Sequence, residues 1–206
     1  MINNPEEVLR MNTFEKIKAH LSHKTVGIAG CGGLGSNCAV ALARVGIGKL
    51  IIADFDVIDL SNLNRQYYFF DQIGKKKCVA LKENIQRINP DVITESHDIK
   101  LHPADILSLF YSCDIIVEAF DLAEMKEMII ETVLTEMPHT PLICGLGMAG
   151  WGMNAQIHSH NIDNLYICGD EATEISPECP PLAPRVGIVA NMQANVALEL
   201  LLKDMI

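Results

Sequence analysis

The chain has no pair of cysteines in C-x-x-C spacing, no apolar run long enough to span a membrane, and a deficit of positive charge. Each absence excludes something. Its seven cysteines (31, 38, 78, 113, 144, 168 and 179) are odd in number and scattered, and 206 residues are too many to need a disulfide scaffold. Most of them lie inside apolar stretches and read as small buried hydrophobes, which fits a reducing cytoplasm. No stretch approaches the ~20 apolar residues of a transmembrane helix. The opening MINNPEEVLRMNTFEKIKAHLSHK is charged and lacks the apolar core of a signal peptide. With 16 Lys and Arg against 26 Asp and Glu, the formal net charge is −10, so bulk electrostatics repel nucleic acid and anionic membrane. An anionic ligand must therefore be held by a few placed cations and by backbone N–H groups.

What is present is an alternation. TVGIAG (25–30) is an apolar run of strand length ending in glycine. Leu34, Cys38, Ala41, Leu42 and Val45 then recur at helical spacing until Gly46 and Gly48. KLIIADFD (49–56) reads as a strand, 75–88 as a helix stopped by Asn89-Pro90, 92–98 as an alternating strand and 103–111 as a short helix. A buried strand (114–120), a helix (123–136) and a further strand (141–147) follow. After Gly150 the pattern changes. NAQIHSHN (154–161) alternates like an antiparallel addition, the proline-rich 168–185 reads as a loop, and 186–202 as an apolar helix. The expectation is an α/β, Rossmann-like fold: a mostly parallel sheet with helices on both faces and a C-terminal antiparallel extension. It is read as one domain over 1–206, with a helical arm (1–23), a nucleotide-binding core (24–150) and a C-terminal part (151–206).

Two motifs carry chemistry. Gly30-Cys31-Gly32-Gly33-Leu34-Gly35 contains G-x-G-x-x-G between a strand and a helix, where glycines permit a tight turn and let amides approach phosphate. Asp54 ends the next strand, 24 residues after Gly30, about where a carboxylate takes ribose hydroxyls. This much fits ATP and NAD equally. The segment VIDLSNLNRQYYFFDQIGKKK then supplies Arg65 and Lys77, two cations able to reach back to a triphosphate through charge-assisted hydrogen bonds. Lys75 and Lys76 fit a solvated basic turn.

GCGGLGS, DFDVIDLSNLNRQ, the Gly-x-x-Lys at 74–77 and RINP at 87–90 together resemble the ThiF/MoeB/HesA family, relatives of ubiquitin-activating enzymes, over roughly residues 24–203. The resemblance implies a homodimer that binds MgATP and adenylates the Gly-Gly end of a ubiquitin-like carrier. The short chain is most similar to the compact ThiF-like branch, whose carrier is ThiS of thiamine biosynthesis. By motif position, Gly30, Gly32, Gly33 and Gly35 form the phosphate loop, with Gly33 meeting the phosphates. Asp54 takes the ribose, and Asn62, Arg65 and Lys77 contact the triphosphate. Asp56 belongs to the same nucleotide-binding block without an assigned contact. Asp121, in VEAFD, matches the aspartate that holds Mg²⁺, and one or two carboxylates with phosphates and water suffice for that ion. Glu118 departs from the family's D-x-x-D pattern there.

Other departures matter. Many members carry an N-terminal arginine that reaches the partner subunit's ATP, and Arg10 is the residue here at about the right distance. Many carry two C-x-x-C pairs for zinc; with neither present, no structural zinc is expected. Cys179, in SPECPPLAP, lies near where some relatives place a cysteine that bonds to the carrier, although the adenylation step needs no thiol. His158 and His160 alternate on one strand face, and with no third ligand near them in sequence they read as solvated strand residues. Three alternatives stand beside carrier adenylation. They are a molybdopterin carrier or a modified tRNA base as acceptor, a non-catalytic nucleotide-binding partner subunit, and an NAD-dependent oxidoreductase.

Overall fold

The computed structural model describes residues 12–205. Arg10, and with it most of the expected arm, lies outside the described residues. The first described helix, α1 (Thr13–Leu21), starts at Asn12, whose side chain accepts the Glu15 amide while the Glu15 carboxylate accepts that of Asn12.

Seven strands form one sheet: β1 (Thr25–Ala29), β2 (Lys49–Ala53), β3 (Ile93–His97), β4 (Ile115–Glu118), β5 (Leu142–Gly145), β6 (His158–Ile162) and β7 (Leu165–Gly169). Their spatial order is β3-β2-β1-β4-β5-β7-β6, every pairing parallel except β6 with β7. The crossovers are α2 (Gly33–Val45), α3 (Lys77–Ile88), α4 (Pro103–Phe110) and α5 (Ala123–Glu136), and α6 (Ala183–Leu201) closes the described chain. Two hydrophobic layers result. Ile28, Leu42, Leu50 and Val189 lie in one, and Ile51, Phe110, Ile116 and Ile129 in the other. The strands at the centre are therefore covered on both faces, which is why they read as unbroken apolar runs and not as alternation. No helix among the described residues is long and apolar enough to cross a membrane.

From β1 the chain runs outward through β2 and β3, then crosses back to β4 on the other side of β1. In open α/β sheets ligands bind at the carboxyl ends of the strands where the winding reverses. Here that crevice lies between β1 and β4.

The C-terminal part needs correction. The expected loop at 168–185 is shorter. Cys168 and Gly169 end β7, and α6 begins at Ala183 with Pro184 in its first turn. LYICG is a five-residue apolar run directly after a turn at Asp163 (φ 52), too short to stand out from its surroundings. Its pairings on both sides make it a strand: parallel with β5, Leu165 to Leu142 through Cys168 to Gly145, and antiparallel with β6. The antiparallel addition is present but displaced. Asn154–Gln156 is a single 3-10 turn and the strand starts at His158.

The segment between β7 and α6 is pinned at both ends by a buried ion pair. Asp170 and Arg185 have side chains 1% and 2% exposed and touch through Oδ2 and Nη2, and Arg185 also donates to the Gly152 carbonyl. Burial alone would raise the Asp170 pKa. The amides of Thr173 and Ala172, the Thr173 hydroxyl and Arg185 outweigh it and hold the carboxyl at about 2. Breaking one side of such a pair strands the other charge in the interior. Asp170→Asn is expected to cost about 3–5 kcal/mol in urea unfolding at neutral pH. Because the folded pKa is depressed, the contribution of Asp170 is complete above ~4, where the unfolded carboxyl ionises. It is lost as pH falls toward about 2. The gap between wild type and variant should therefore close across that window.

Candidate active site

The glycine loop is built by close approach. Gly30 leaves β1 with φ +99, and a Cβ there would lie 2.8 Å from the Ala119 carbonyl oxygen at the end of β4. A Cβ on Gly35 would run into the Gly30 carbonyl oxygen, so that glycine lets α2 sit down on the loop. Gly32 is the N-cap of α2 and has no side chain to accept the helix's opening amides. The first amides of α2 therefore have no side-chain acceptor of their own, as an anion-binding N-terminus requires. Gly33 lies below the start of α6: a Cβ on it would be 2.9 Å from Val186 Cγ1 and 3.5 Å from Arg65 Cγ.

Asp54 sits at the mouth of β2, 9% exposed. Its Oδ2 accepts the Cys31 amide at 2.6 Å and its Oδ1 the Asp56 amide at 2.7 Å. Burial raises its pKa, and those two amides with nearby Lys77 pull it back. Two amides leave about half the lone-pair sites of a carboxylate for a ligand hydroxyl. Asp56 pairs with Lys77, Oδ2 to Nζ 2.7 Å, and the lysine side chain is 8% exposed. Sequence reasoning gave Asp56 no contact, and the structure supplies one. Lys75 and Lys76 pair with Glu83 and Asp98 on the surface, as a solvated turn should.

The SNLNRQ segment folds as a short 3-10 turn, Leu60–Asn62, capped by Asp59. Asn62 Oδ1 accepts the Asp59 amide at 3.1 Å, so this asparagine shapes the turn. Asn37 on α2 donates to the Arg65 carbonyl, and Ser36 Oγ accepts the Tyr67 amide, clasping the segment onto the first turns of α2. Arg65 lays its stem beside Gly33 while Nη1 donates to the Ser61 carbonyl at 3.1 Å and Asn64 Oδ1 at 2.7 Å. Arg65 beside Gly33 and Asp54 bonded to Cys31 thus both bear on the glycine loop after β1, and Lys77 is tied to Asp56, two residues past Asp54.

At the exit of β4 the two acids differ. Glu118 is fully buried. Its carboxylate accepts the Phe120 amide and meets Lys126, which also donates to the Gly145 carbonyl at 3.0 Å. Burial raises the Glu118 pKa, and Lys126 opposes the rise. Asp121 is exposed, with no side-chain hydrogen bond among the described residues. The N-cap of α5 is Leu122, so Asp121 does not cap that helix. Sequence reasoning missed Lys126 and Gln193, which donates to the Glu118 and Ile143 carbonyls. The only available signals were a lysine one helical turn into α5 and a glutamine inside an apolar helix.

Six cysteines are buried, as their apolar surroundings suggested, and burial pushes the thiols of Cys38, Cys113 and Cys168 up to about 12. Cys179 is half-buried, and its sulfur lies against Gly150, where a Cβ would come within 2.8 Å. Its loop reaches the site: Asn64 donates to the Pro181 carbonyl, and the Ala183 amide to the Asn64 carbonyl. His158 is exposed and His160 half-buried on β6. The structure brings Glu171 to both, a third ligand type that sequence spacing did not provide.

A winding-reversal crevice with an open helix N-terminus, a ribose-height aspartate and a clasped arginine defines a nucleotide-binding α/β protein. The ThiF family profile matches residues 9–205, and the chain belongs to the ThiF family. The adenylyltransferase and sulfurtransferase UBA4 of Scheffersomyces stipitis is 29% identical over 154 residues, 74% of this chain and 34% of that one. Ubiquitin-like modifier-activating enzyme 5 of Dictyostelium discoideum is 40% identical over 95 residues, 46% of this chain and 24% of that one. The chain therefore spans about a third of the length of the first relative and a quarter of the second. In fold it matches E. coli tRNA N6-threonylcarbamoyladenosine dehydratase, TcdA, solved with AMP, at TM-score 0.85 and 18% identity, covering 100% of this chain and 99% of that one.

The double bond at Asp54 makes a prediction. Asp54→Asn keeps one acceptor but turns an NH₂ toward one of the two amides. Leaving a buried donor unsatisfied costs about 1–3 kcal/mol, so the variant should unfold at correspondingly lower denaturant concentration even without nucleotide. A stability equal to wild type would show that this carboxylate does not hold the loop.

Proposed function

We propose that the chain adenylylates the C-terminal glycine carboxylate of a small ubiquitin-like sulfur carrier of the ThiS kind, using ATP and releasing pyrophosphate, for assembly of the thiamine thiazole. The observation that carries this reading is Arg65. It is laid beside Gly33 and hydrogen-bonded only to neutral oxygens among the described residues, so its positive charge is unspent at the phosphate loop. An oxidoreductase has no general need of such a cation behind its ribose carboxylate.

The residues divide the work. The opening amides of α2 receive phosphate oxygens, Asp54 orients the ribose, and Arg65 offsets charge that grows as pyrophosphate leaves. Lys77, held by Asp56, stiffens the site from beneath and keeps a cation near the phosphates. The carrier's carboxylate is already ionised at neutral pH and attacks the α-phosphorus without a general base. Asp121 has the free, exposed carboxylate suited to Mg²⁺, which when bound neutralises phosphate charge. Adenylation needs no thiol, so Cys179 is reserved for any later transfer step. By the resemblance the working unit is a homodimer in which Arg10 of one subunit serves the other's site.

One observation favours a second acceptor. The fold matches over nearly the full length of a protein named as a tRNA-modifying dehydratase. The net charge of −10 counts against a tRNA partner, and the carrier reading is preferred.

ATP–pyrophosphate exchange separates these readings. Exchange should require a Gly-Gly-ended carrier and persist in Cys179→Ala. Exchange stimulated by tRNA and not by any carrier would favour the second acceptor. Arg65→Ala should weaken ATP binding and slow exchange together. Asp121→Ala should leave ATP binding measurable but cut exchange by roughly 10²-fold, with partial recovery at raised Mg²⁺. Thermal stabilisation by NADH exceeding that by MgATP would sink the adenylation reading altogether.

A further inference from the structure

We propose that His158, His160 and Glu171 form a binding site for one zinc-class divalent cation, distinct from the nucleotide crevice. One ligand atom from each of the three lies within 4.8 Å of the other two. His158 Nε2 is 3.2 Å from Glu171 Oε1, and His160 Nδ1 is 3.3 Å from the same oxygen. Tetrahedral zinc with bonds of ~2.0–2.1 Å sets its ligand atoms roughly 3.3 Å apart. The two measured separations are therefore close to the edges of that tetrahedron.

The donors are also prepared. His158 Nδ1 is 2.8 Å from the Gln156 carbonyl oxygen, which can only accept. That bond fixes the proton on Nδ1 and leaves the Nε2 lone pair facing Glu171, the arrangement typical of a metal-ligating histidine. His160 Nδ1 is shut off from water and has no hydrogen-bond partner, although the carboxylate is close. Two lone-pair-bearing atoms at that distance repel unless a proton or a cation lies between them. The rings stack at 5.8 Å, which the H-x-H spacing on β6 enforces. Glu171 enters from the far side of the hairpin, just past β7. It holds a left-handed backbone (φ 56) while its amide donates to the Leu146 carbonyl at 3.0 Å.

Two imidazoles and one carboxylate suit zinc, cobalt or nickel better than magnesium or calcium, which prefer all-oxygen shells. The side chains of His158 and Glu171 are 55% and 32% exposed, so an ion can enter and water can fill a fourth position. The site is on the carboxyl edge of the sheet, but β6 is four strands from β1 in the order β1-β4-β5-β7-β6. At ~4.8 Å per strand that is about 19 Å from the glycine loop. It does not depend on the adenylation reading. It also differs in kind from the cysteine-pair zinc whose absence the sequence announces. A bound ion would tie β6 to the first residue after Asp170 and so fix the start of the loop that carries Cys179.

The test uses the full chain without an affinity tag, stripped with chelator and titrated with Zn²⁺ by calorimetry in the absence of ATP. Co²⁺ is titrated in parallel by visible absorption. The expected result is one equivalent bound, a raised melting temperature, and cobalt d–d bands of tetrahedral intensity with no sulfur-to-cobalt band. His160→Ala and Glu171→Gln should each weaken binding by more than the ~10–100-fold that loss of a supporting hydrogen bond costs. The double variant His158→Ala, His160→Ala should abolish the equivalent. His158 and Glu171 are exposed and His160 is half-buried at the sheet's edge, so the metal-free variants should melt within a few degrees of metal-free wild type. If His160→Ala does not fold, Glu171→Gln carries the test. No binding by wild type, an unchanged titration in the folded variants, or a sulfur-to-cobalt band would each overturn the proposal.

Discussion

The Asp54 carboxylate accepts the Cys31 amide with one oxygen and the Asp56 amide with the other, and so joins the glycine loop to the end of β2. Much of the site depends on this join. It fixes where the loop's amides point. It also starts the turn that places Asp56 against Lys77. Tyr68 reinforces it from below by donating its hydroxyl to the Cys31 carbonyl at 2.7 Å. A carboxylate in this place carries a cost, because burial raises its pKa. The cost is offset by amides that would otherwise be buried without acceptors. If Asp54 also takes the ribose as proposed, structure and ligand recognition draw on the same side chain, and neither contribution can be removed without disturbing the other.

The acidic chain solves its electrostatic problem by placement. Lys77 has its charge matched by Asp56, Lys126 by Glu118, and Arg185 by Asp170. Arg65 instead meets a carbonyl and an amide oxygen. Neutral acceptors orient a guanidinium without neutralising it, which keeps the full charge available to an incoming phosphate. Of these two cations near the glycine loop, Arg65 thus keeps an unmatched charge, whereas that of Lys77 is matched by Asp56. The sequence treated the two as equivalent, because spacing from the ribose carboxylate says nothing about which cation is already paired.

What could be read in advance follows contact distance along the chain. The β1–glycine loop–α2 unit, the strand-helix alternation and the SNLNRQ turn carry local signals, a glycine pattern, apolar periodicity and a capped turn, whatever distant partners they later meet. Their patterns survive in one dimension. Strand β7 did not: it is five residues long, and its place inside the sheet depends on β5, more than twenty residues earlier, as well as on the adjacent β6. The His158–His160–Glu171 cluster was hidden for the same reason. Only the hairpin register, His158 opposite Gly169, brings residue 171 back beside residue 158. The Asp170–Arg185 pair closes across a proline-rich segment whose composition signals a loop and nothing about what its ends bind.

The exit of β4 shows how a departure from a motif can be absorbed. A D-x-x-D pattern offers two carboxylates at this edge; here the first position is Glu118, fully buried. Its longer side chain reaches Lys126 on α5, and through that lysine the Gly145 carbonyl at the end of β5. Gln193 from α6 donates to the backbone carbonyls of Glu118 and Ile143 on the same two strands. Two neighbouring strand ends are thereby held together by polar side chains from two helices. A carboxylate that is fully buried and already matched in charge by an ammonium is closed to a cation arriving from solvent. Asp121, exposed three residues later and with no hydrogen bond of its own among the described residues, is left as the free acid at that strand end. The longer acid at 118 thus belongs to the framework, and under the proposed reading Asp121 is the acid left to hold a metal. Because Mg²⁺ needs only one or two carboxylates beside phosphate and water, a single free aspartate would suffice for the proposed metal role while the neighbouring strand ends stay tied together.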